Sequence, residues 1–125
     1  MIPPFMKGYM TYQFVIEGIP VLQERPRKGM HGNFYDPSAK AKKALGWKLL
    51  EARRSARASI LKGEVRLNVI FYGMSRGDAD NALKALQDAG NGILWSDDRQ
   101  IVEISCKLER QAERPRTEIS ITEVL

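Results

Sequence analysis

The chain has 125 residues, 43% of them hydrophobic and 28% charged, which supports one packed core over residues 1–125 and argues against a disordered chain. Twenty Lys+Arg against fifteen Asp+Glu leave a formal charge of +5, a balance that favours a polyanionic partner. A single cysteine, Cys106, excludes an internal disulfide framework, and no apolar run approaches the ~20 residues of a membrane span, so a cytoplasmic protein without a membrane partner is expected.

The first ten residues are not expected to act as a secretion signal and are a candidate flexible arm, with Met6 and Met10 as alternative starts. Residues 11–17 alternate, with Tyr12, Phe14 and Ile16 on one face, and predict a strand. Residues 21–35 contain Gly29 and Gly32 and predict a loop or irregular hairpin. Asp36-Pro37 signals a helix start, and Leu45, Leu49, Ala52, Ala56 and Ile60 form the stripe of a helix over 37–61 closed by Gly63. Val65, Leu67, Val69 and Phe71 alternate in a second strand. A short helix over 79–89 buries Ala82, Leu83, Leu86 and Ala89 and stops at Gly90-Asn91-Gly92. Val102, Ile104, Cys106 and Leu108 share one face of a third strand, and 117–124 give the last, expected to pair with it as an antiparallel hairpin. The order predicts an α/β (α+β) domain: a mixed sheet of about four strands with one long and one short helix packed on it.

Charge is segregated along the chain. Residues 25–62 hold eleven basic groups and only two acids, Asp36 and Glu51. Five of the six aspartates fall between Asp78 and Asp98, and no Glu occurs between Glu64 and Glu103. A local preference for the shorter carboxylate points to turns, caps or metal coordination.

The chemistry centres on Arg76-Gly77-Asp78-Ala79-Asp80-Asn81, where a strand gives way to a helix, a common ligand position in α/β architectures. Asp80, Lys84 and Asp88 follow at i, i+4, i+8 and share a helix face, and Asp97-Asp98 precedes the next strand. Hard divalent ions such as Mg2+ take a few carboxylate oxygens and keep waters, so two or three convergent aspartates could hold one. In phosphodiester cleavage such an ion would activate water and stabilise the leaving oxygen, while Lys84 would add positive charge at the phosphate. Each feature also has a structural explanation. Asp-x-Asp at a helix start caps it, Asp97-Asp98 suit a turn, and Asp80–Lys84 can be an ordinary helical pair.

Geometry constrains convergence. If the strands at 65–72 and 100–109 were parallel neighbours, Asp97-Asp98 would emerge at the opposite edge from Asp78. Two resolutions exist. The Gly90–Ser96 segment climbs back and the strands run antiparallel, which is the favoured expectation, or the second Asp pair meets a site on another subunit.

These residues resemble the RusA-like Holliday junction resolvases, the crossover junction endodeoxyribonucleases. The likeness rests on Asp78-Ala-Asp80-Asn81-Ala-Leu-Lys84-Ala-Leu-Gln-Asp88, Asn91-Gly92 and Asp97-Asp98-Arg-Gln-Ile101, with Arg25-Pro26-Arg27 and Tyr35-Asp36-Pro37 upstream. It implies a Mg2+-dependent homodimer, with Mn2+ as a substitute, that nicks four-way or branched DNA symmetrically in recombination and repair. It also implies a bacterial or phage-infected host and a prophage origin. By resemblance, Asp78, Asp80 and Asp98 are the catalytic, metal-binding carboxylates, Lys84 supports them, and Asp97 is a weaker ligand. Gly90 departs from the larger apolar residue found in many members.

The basic half supplies candidate DNA contacts: Arg25, Arg27 and Lys28 in the Gly-containing loop, Arg53, Arg54 and Arg57 on the long helix, and Arg76 beside the aspartates. His31 reads as a surface residue, Trp47 and Trp95 as core, and Cys106 as buried packing. Two rival functions remain at this level: a non-catalytic, structure-selective DNA binder with a structural Asp cluster, and a phosphotransferase or phosphatase with a small substrate.

Overall fold

A computed structural model describes residues 9–124. The expectations about the first eight residues, including a start at Met6, lie outside that range, while Tyr9 and Met10 belong to the first strand. The chain order is β1 (Tyr9–Glu17), β2 (Arg27–Lys28), β3 (Phe34–Tyr35), α1 (Ala39–Ser55), β4 (Glu64–Tyr72), α2 (Ala79–Gly90), β5 (Ile101–Glu109) and β6 (Arg116–Val124). A 3-10 turn, Asp98–Gln100, leads into β5.

Alternation dictates the sheet. Phe14 and Ile16 of β1, Val65, Leu67, Val69 and Phe71 of β4, and Thr117, Ile119 and Ile121 of β6 are buried on one face. Both helices cover that face, with Leu45 and Leu49 of α1 and Ala82, Ala85, Leu86 and Ala89 of α2 turned inward. The four-stranded sheet has the order β1-β6-β4-β5, and β2 and β3 form a separate small ribbon, the irregular hairpin expected at 21–35. The mixed α+β fold therefore matches the sequence reading.

Two expectations of strand partnership fail. β5 and β6 do not form a hairpin, because β4 lies between them. Residues 110–115 cross the end of β4, where the Gly73 amide donates to the Glu109 carbonyl at 2.9 Å. Gly73 has φ +74°, and a Cβ there would stand 2.9 Å from Pro115 Cα, so the crossing needs a glycine beneath it. The favoured antiparallel relation of β4 and β5 is also overturned: they pair in parallel, Val69 beside Cys106, around the α2 crossover. A strand–helix–strand unit of this kind has a strongly preferred hand and leaves no need for the chain to climb back.

Helix α1 is shorter than expected. It ends at Ser55 with Ala56 as its C-cap, and Arg57, at φ +56°, takes the left-handed position usually given to glycine. The Arg57 amide donates to the Arg54 carbonyl and the Ala58 amide to the Arg53 carbonyl, both at 3.0 Å, so the helix closes six residues before Gly63. Asp36 is not the cap residue itself. It accepts from the Ser38 amide at 2.9 Å and so organises the turn that enters α1.

Candidate metal centre and nucleic-acid interface

The edge of the sheet where β4 ends is built around Met74–Asp78. Gly77, at φ +91°, gives its carbonyl to the Arg110 guanidinium at 2.6 Å, and Leu22 fills the space where a Cβ would stand. Asp78 then caps α2, its carboxylate accepting from the Asn81 amide at 2.8 Å. Asp80 lies in the first turn, exposed, and has no salt-bridge partner among the described residues. Both carboxylates stand where the helix dipole favours negative charge. Burial pushes the Cys106 thiol up from its ordinary value, and the negative charge of Asp80 pushes it further.

Lys84 follows one turn later but pairs with Asp88, at 3.7 Å, rather than with Asp80. Asp88 is committed elsewhere: Lys42 of α1 holds it at 3.0 Å, holds Asp36 at 2.7 Å, and donates to Gln23. Burial alone would lower the Lys42 pKa, yet its bonds to Asp36 and Asp88 outweigh that and raise it. The same lysine, then the Ser38 hydroxyl, hold Asp36 far below the usual carboxylate range. This network docks the segment before α1 onto α2, and Asp88 belongs to it.

The second acidic pair lies at the opposite edge. Asp97 caps the 3-10 turn: it accepts from the Arg99 amide at 2.9 Å while its own amide donates to Gln100 Oε1 at 2.7 Å. The Arg99 amide lowers its pKa. Asp97 therefore caps a 3-10 turn, where the structural explanation from sequence was a turn residue. Asp98 is half-buried and accepts from the indole Nε1 of fully buried Trp95 at 2.7 Å. Gln100 pins this turn to the start of β4 by donating to the carbonyls of Leu61 and Gly63, each at 2.9 Å. Gly90, the departure noted above, is explained here: a Cβ would sit 3.0 Å from two Trp95 ring carbons.

Parallel β4 and β5 thus separate Asp78 and Asp80 from Asp97 and Asp98 by the length of a nine-residue strand, about 26 Å at ~3.3 Å per residue. Among the described residues, no three His, Cys, Asp or Glu side chains come together closely enough to hold a metal ion. The in-chain convergence of the three catalytic candidates is not what the fold provides.

The basic candidates divide the same way. The Gln23 amide donates to the Asn81 carbonyl at 3.0 Å, which lays the loop carrying Arg25, Arg27 and Lys28 beside Asp78 and Asp80, with Arg76 nearby. Arg54, Arg57 and Arg99 belong to the other edge, with Asp98. Arg53 is a tie, not a free cation: it donates to the Ile93 carbonyl at 2.7 Å, and its Nε is buried without a partner.

The model of the family described as Endodeoxyribonuclease RusA matches residues 17–122. The chain belongs to the RusA endodeoxyribonuclease family. It is also similar to the Bacillus subtilis (strain 168) "Uncharacterized protein YqaN", 29% identical over 138 aligned positions that cover 90% of this chain and 96% of that one. In this RusA chain the ribbon of β2 and β3 is the irregular hairpin expected over 21–35, but sequence reasoning did not single out its apolar residues as functional candidates. Met30 at its tip is 95% exposed and Phe34 74%, among the exposed cations of the same loop. The signal was present, since Gly29 and Gly32 bracket the tip. Trp47, expected in the core, is 64% exposed on α1. No helix among the described residues is long and apolar enough to cross a membrane.

Proposed function

We propose that this RusA chain is a divalent-metal-dependent endonuclease of branched DNA, and that its metal centre is assembled from two copies of the chain. The donor chemistry supports it. Asp78 has one bond committed to a backbone amide and Asp80 no ionic partner among the described residues, so two hard oxygen donors stand at one edge beside a basic loop. Asp98, fixed by Trp95 at the other edge, is the missing third carboxylate, and it can join only as the partner's Asp98. When bound, Mg2+ would activate a water, neutralise the scissile phosphate and stabilise the leaving oxygen. The chain's own residues do the rest. Arg25, Arg27, Lys28 and Arg76 hold the DNA backbone against the first edge. Lys84, exposed one turn from Asp80, places positive charge beside the phosphate. Exposed Phe34 and Met30 offer apolar surface to bases unstacked at a branch point. Two such sites related by a two-fold axis suit paired, symmetric nicks in a four-way junction, in the recombination and repair of a bacterial cytoplasm and with a prophage source.

The carrying observation is the placement of Asp78 and Asp80 at one edge and Asp98 at the other in a chain of this family. The test is nicking of a synthetic four-way junction in Mg2+ by the parent protein and by Asp80→Asn. Loss of nicking with junction affinity kept is the expected result. The absence of a three-carboxylate group among the described residues of one chain favours a second reading, a junction binder that does not cut. Binding by the parent protein with no cleavage in Mg2+ or Mn2+ would establish it.

A further inference from the structure

The outward face of α1 carries charge and an aromatic ring that the metal centre does not use. Lys40, Lys43, Trp47 and Arg54 follow at i, i+3, i+7 and i+14, so they line one side of the helix over about 21 Å. All four are exposed, whereas Trp95, the second tryptophan of the chain, is fully buried. None of the three cations has an ion-pair partner among the described residues, and Glu51 is the one acid of α1. Single exposed apolar residues are ordinary on protein surfaces. An indole set among unpaired cations is different, because it combines the two chemistries that hold an unpaired nucleic-acid strand.

Trp47 also walls a groove between α1 and α2. Leu50, Ala89 and Ile93 give it an apolar lining, Lys43 stands beside them, and its volume is about 610 Å³. Arg53 fixes the far wall through its 2.7 Å bond to the Ile93 carbonyl. Asp36 and Asp88 also reach the groove, but both are paired with Lys42, at 2.7 and 3.0 Å. The groove therefore offers aromatic and apolar surface next to uncommitted positive charge.

We propose that this face of α1 binds an unpaired DNA strand, with Trp47 stacked on a base and Lys40, Lys43 and Arg54 on phosphates. A duplex is the poorer fit. Its bases are stacked on one another, so a projecting indole would meet sugar, phosphate or base edges but no open base face. The inference deepens the branched-DNA reading above and rests on it for the choice of DNA. Helix α1 runs from the Asp36–Lys42 network, behind the basic loop, to Arg54 and Arg57 at the Asp98 edge. A strand on its outer face would pass from one acidic edge towards the other. The substrates so favoured are branches that carry a single-stranded arm.

The test is tryptophan fluorescence of the full chain, titrated with oligo(dT) and with a duplex of the same length, in EDTA so that no cleavage intervenes. Because Trp95 is buried, a change in emission reports on Trp47. Oligo(dT) is expected to quench Trp47 and shield it from acrylamide, and the duplex to leave its emission unchanged. With labelled oligo(dT) read by anisotropy, Trp47→Ala should weaken binding about tenfold or more, while Trp47→Phe, which keeps a ring, should stay within about threefold of the parent. Lys43→Gln should remove about 0.7 from the log–log salt slope. No oligo(dT) binding, or binding that leaves Trp47 unquenched or that Trp47→Ala does not weaken, overturns the inference and leaves the face to a protein partner. Equal quenching by the duplex overturns the choice of an unpaired strand. Nicking of a four-way junction in Mg2+ by the same parent protein separates the two proposals. A protein that nicks but fails with oligo(dT) removes this surface alone, and one that binds oligo(dT) at Trp47 but never nicks removes the nuclease reading alone.

Discussion

Arg57 tests whether a strained residue is retained for its charge. Its φ of +56° places it in the left-handed region, where a side chain costs roughly 1–2 kcal/mol and glycine costs nothing. The two 3.0 Å bonds that close α1 involve backbone only, so Arg57→Gly keeps them. Glycine also frees the unfolded chain, which offsets roughly 0.4–1 kcal/mol of the gain. The net expectation is a stabilisation of about 0.5–1 kcal/mol, or ~2–4 °C in melting temperature for a chain of this length. The same substitution removes a cation from the Asp98 edge. If Arg57 meets a phosphate, the log–log salt dependence of four-way-junction binding should lose about 0.9 of slope per contact. Melting by circular dichroism and junction binding at several salt concentrations are the two assays. A destabilised variant would refute the backbone account of the helix end. A stabilised variant with unchanged salt slope would refute the DNA role.

Other outcomes follow from single interactions. Gly77→Ala forces φ +91° on a side chain and drives its Cβ to 2.5 Å from Leu22 Cδ1, so it should cost about 1–3 kcal/mol and reduce nicking beyond its effect on folding, because Asp78 is the next residue. Thermal melts and junction nicking at a temperature where both proteins are folded check this. Asp36 has a depressed pKa, so the stability it contributes is present above the ordinary carboxylate range and is lost as pH falls below about 4 towards its folded value. Asp36→Asn should therefore show a smaller drop in urea midpoint between pH 5 and pH 3 than the parent, and an equal drop would contradict the assignment.

Much of the fold was legible because its signals are local. Period-two alternation in 65–71 and 117–121, the Asp78 cap and the Gly90-Asn91-Gly92 stop each act within a few residues, and each element formed where expected. Strand partnership was not legible, because it depends on chain crossings such as that of 110–115 over Gly73, which no short window contains. The end of α1 was missed for a different reason: a non-glycine residue adopts the glycine conformation at Arg57. For the candidate site, the motif named the carboxylates but not their relation. Asp97 and Asp98 are adjacent in sequence yet part at once, one into a cap and the other onto the Trp95 indole. The favoured antiparallel pairing erred because it required one chain to assemble a site that its parallel crossover divides. Trp47 failed as a core residue because the stripe of α1 that faces the sheet passes through Leu45 and Leu49 and leaves position 47 outward.

Subunit mixing between Asp80→Asn and Asp98→Asn proteins tests the two-copy centre most directly. Each homodimer should be inactive, since both of its sites lack one carboxylate. After random exchange half of the dimers are mixed, and each mixed dimer carries one site with all three aspartates and one with two asparagines. Mixing equal amounts should therefore restore about a quarter of the parent's nicking sites, as single nicks in a four-way junction rather than paired ones. No recovery after verified exchange would contradict the account, because a centre built within one chain can never be repaired by a partner.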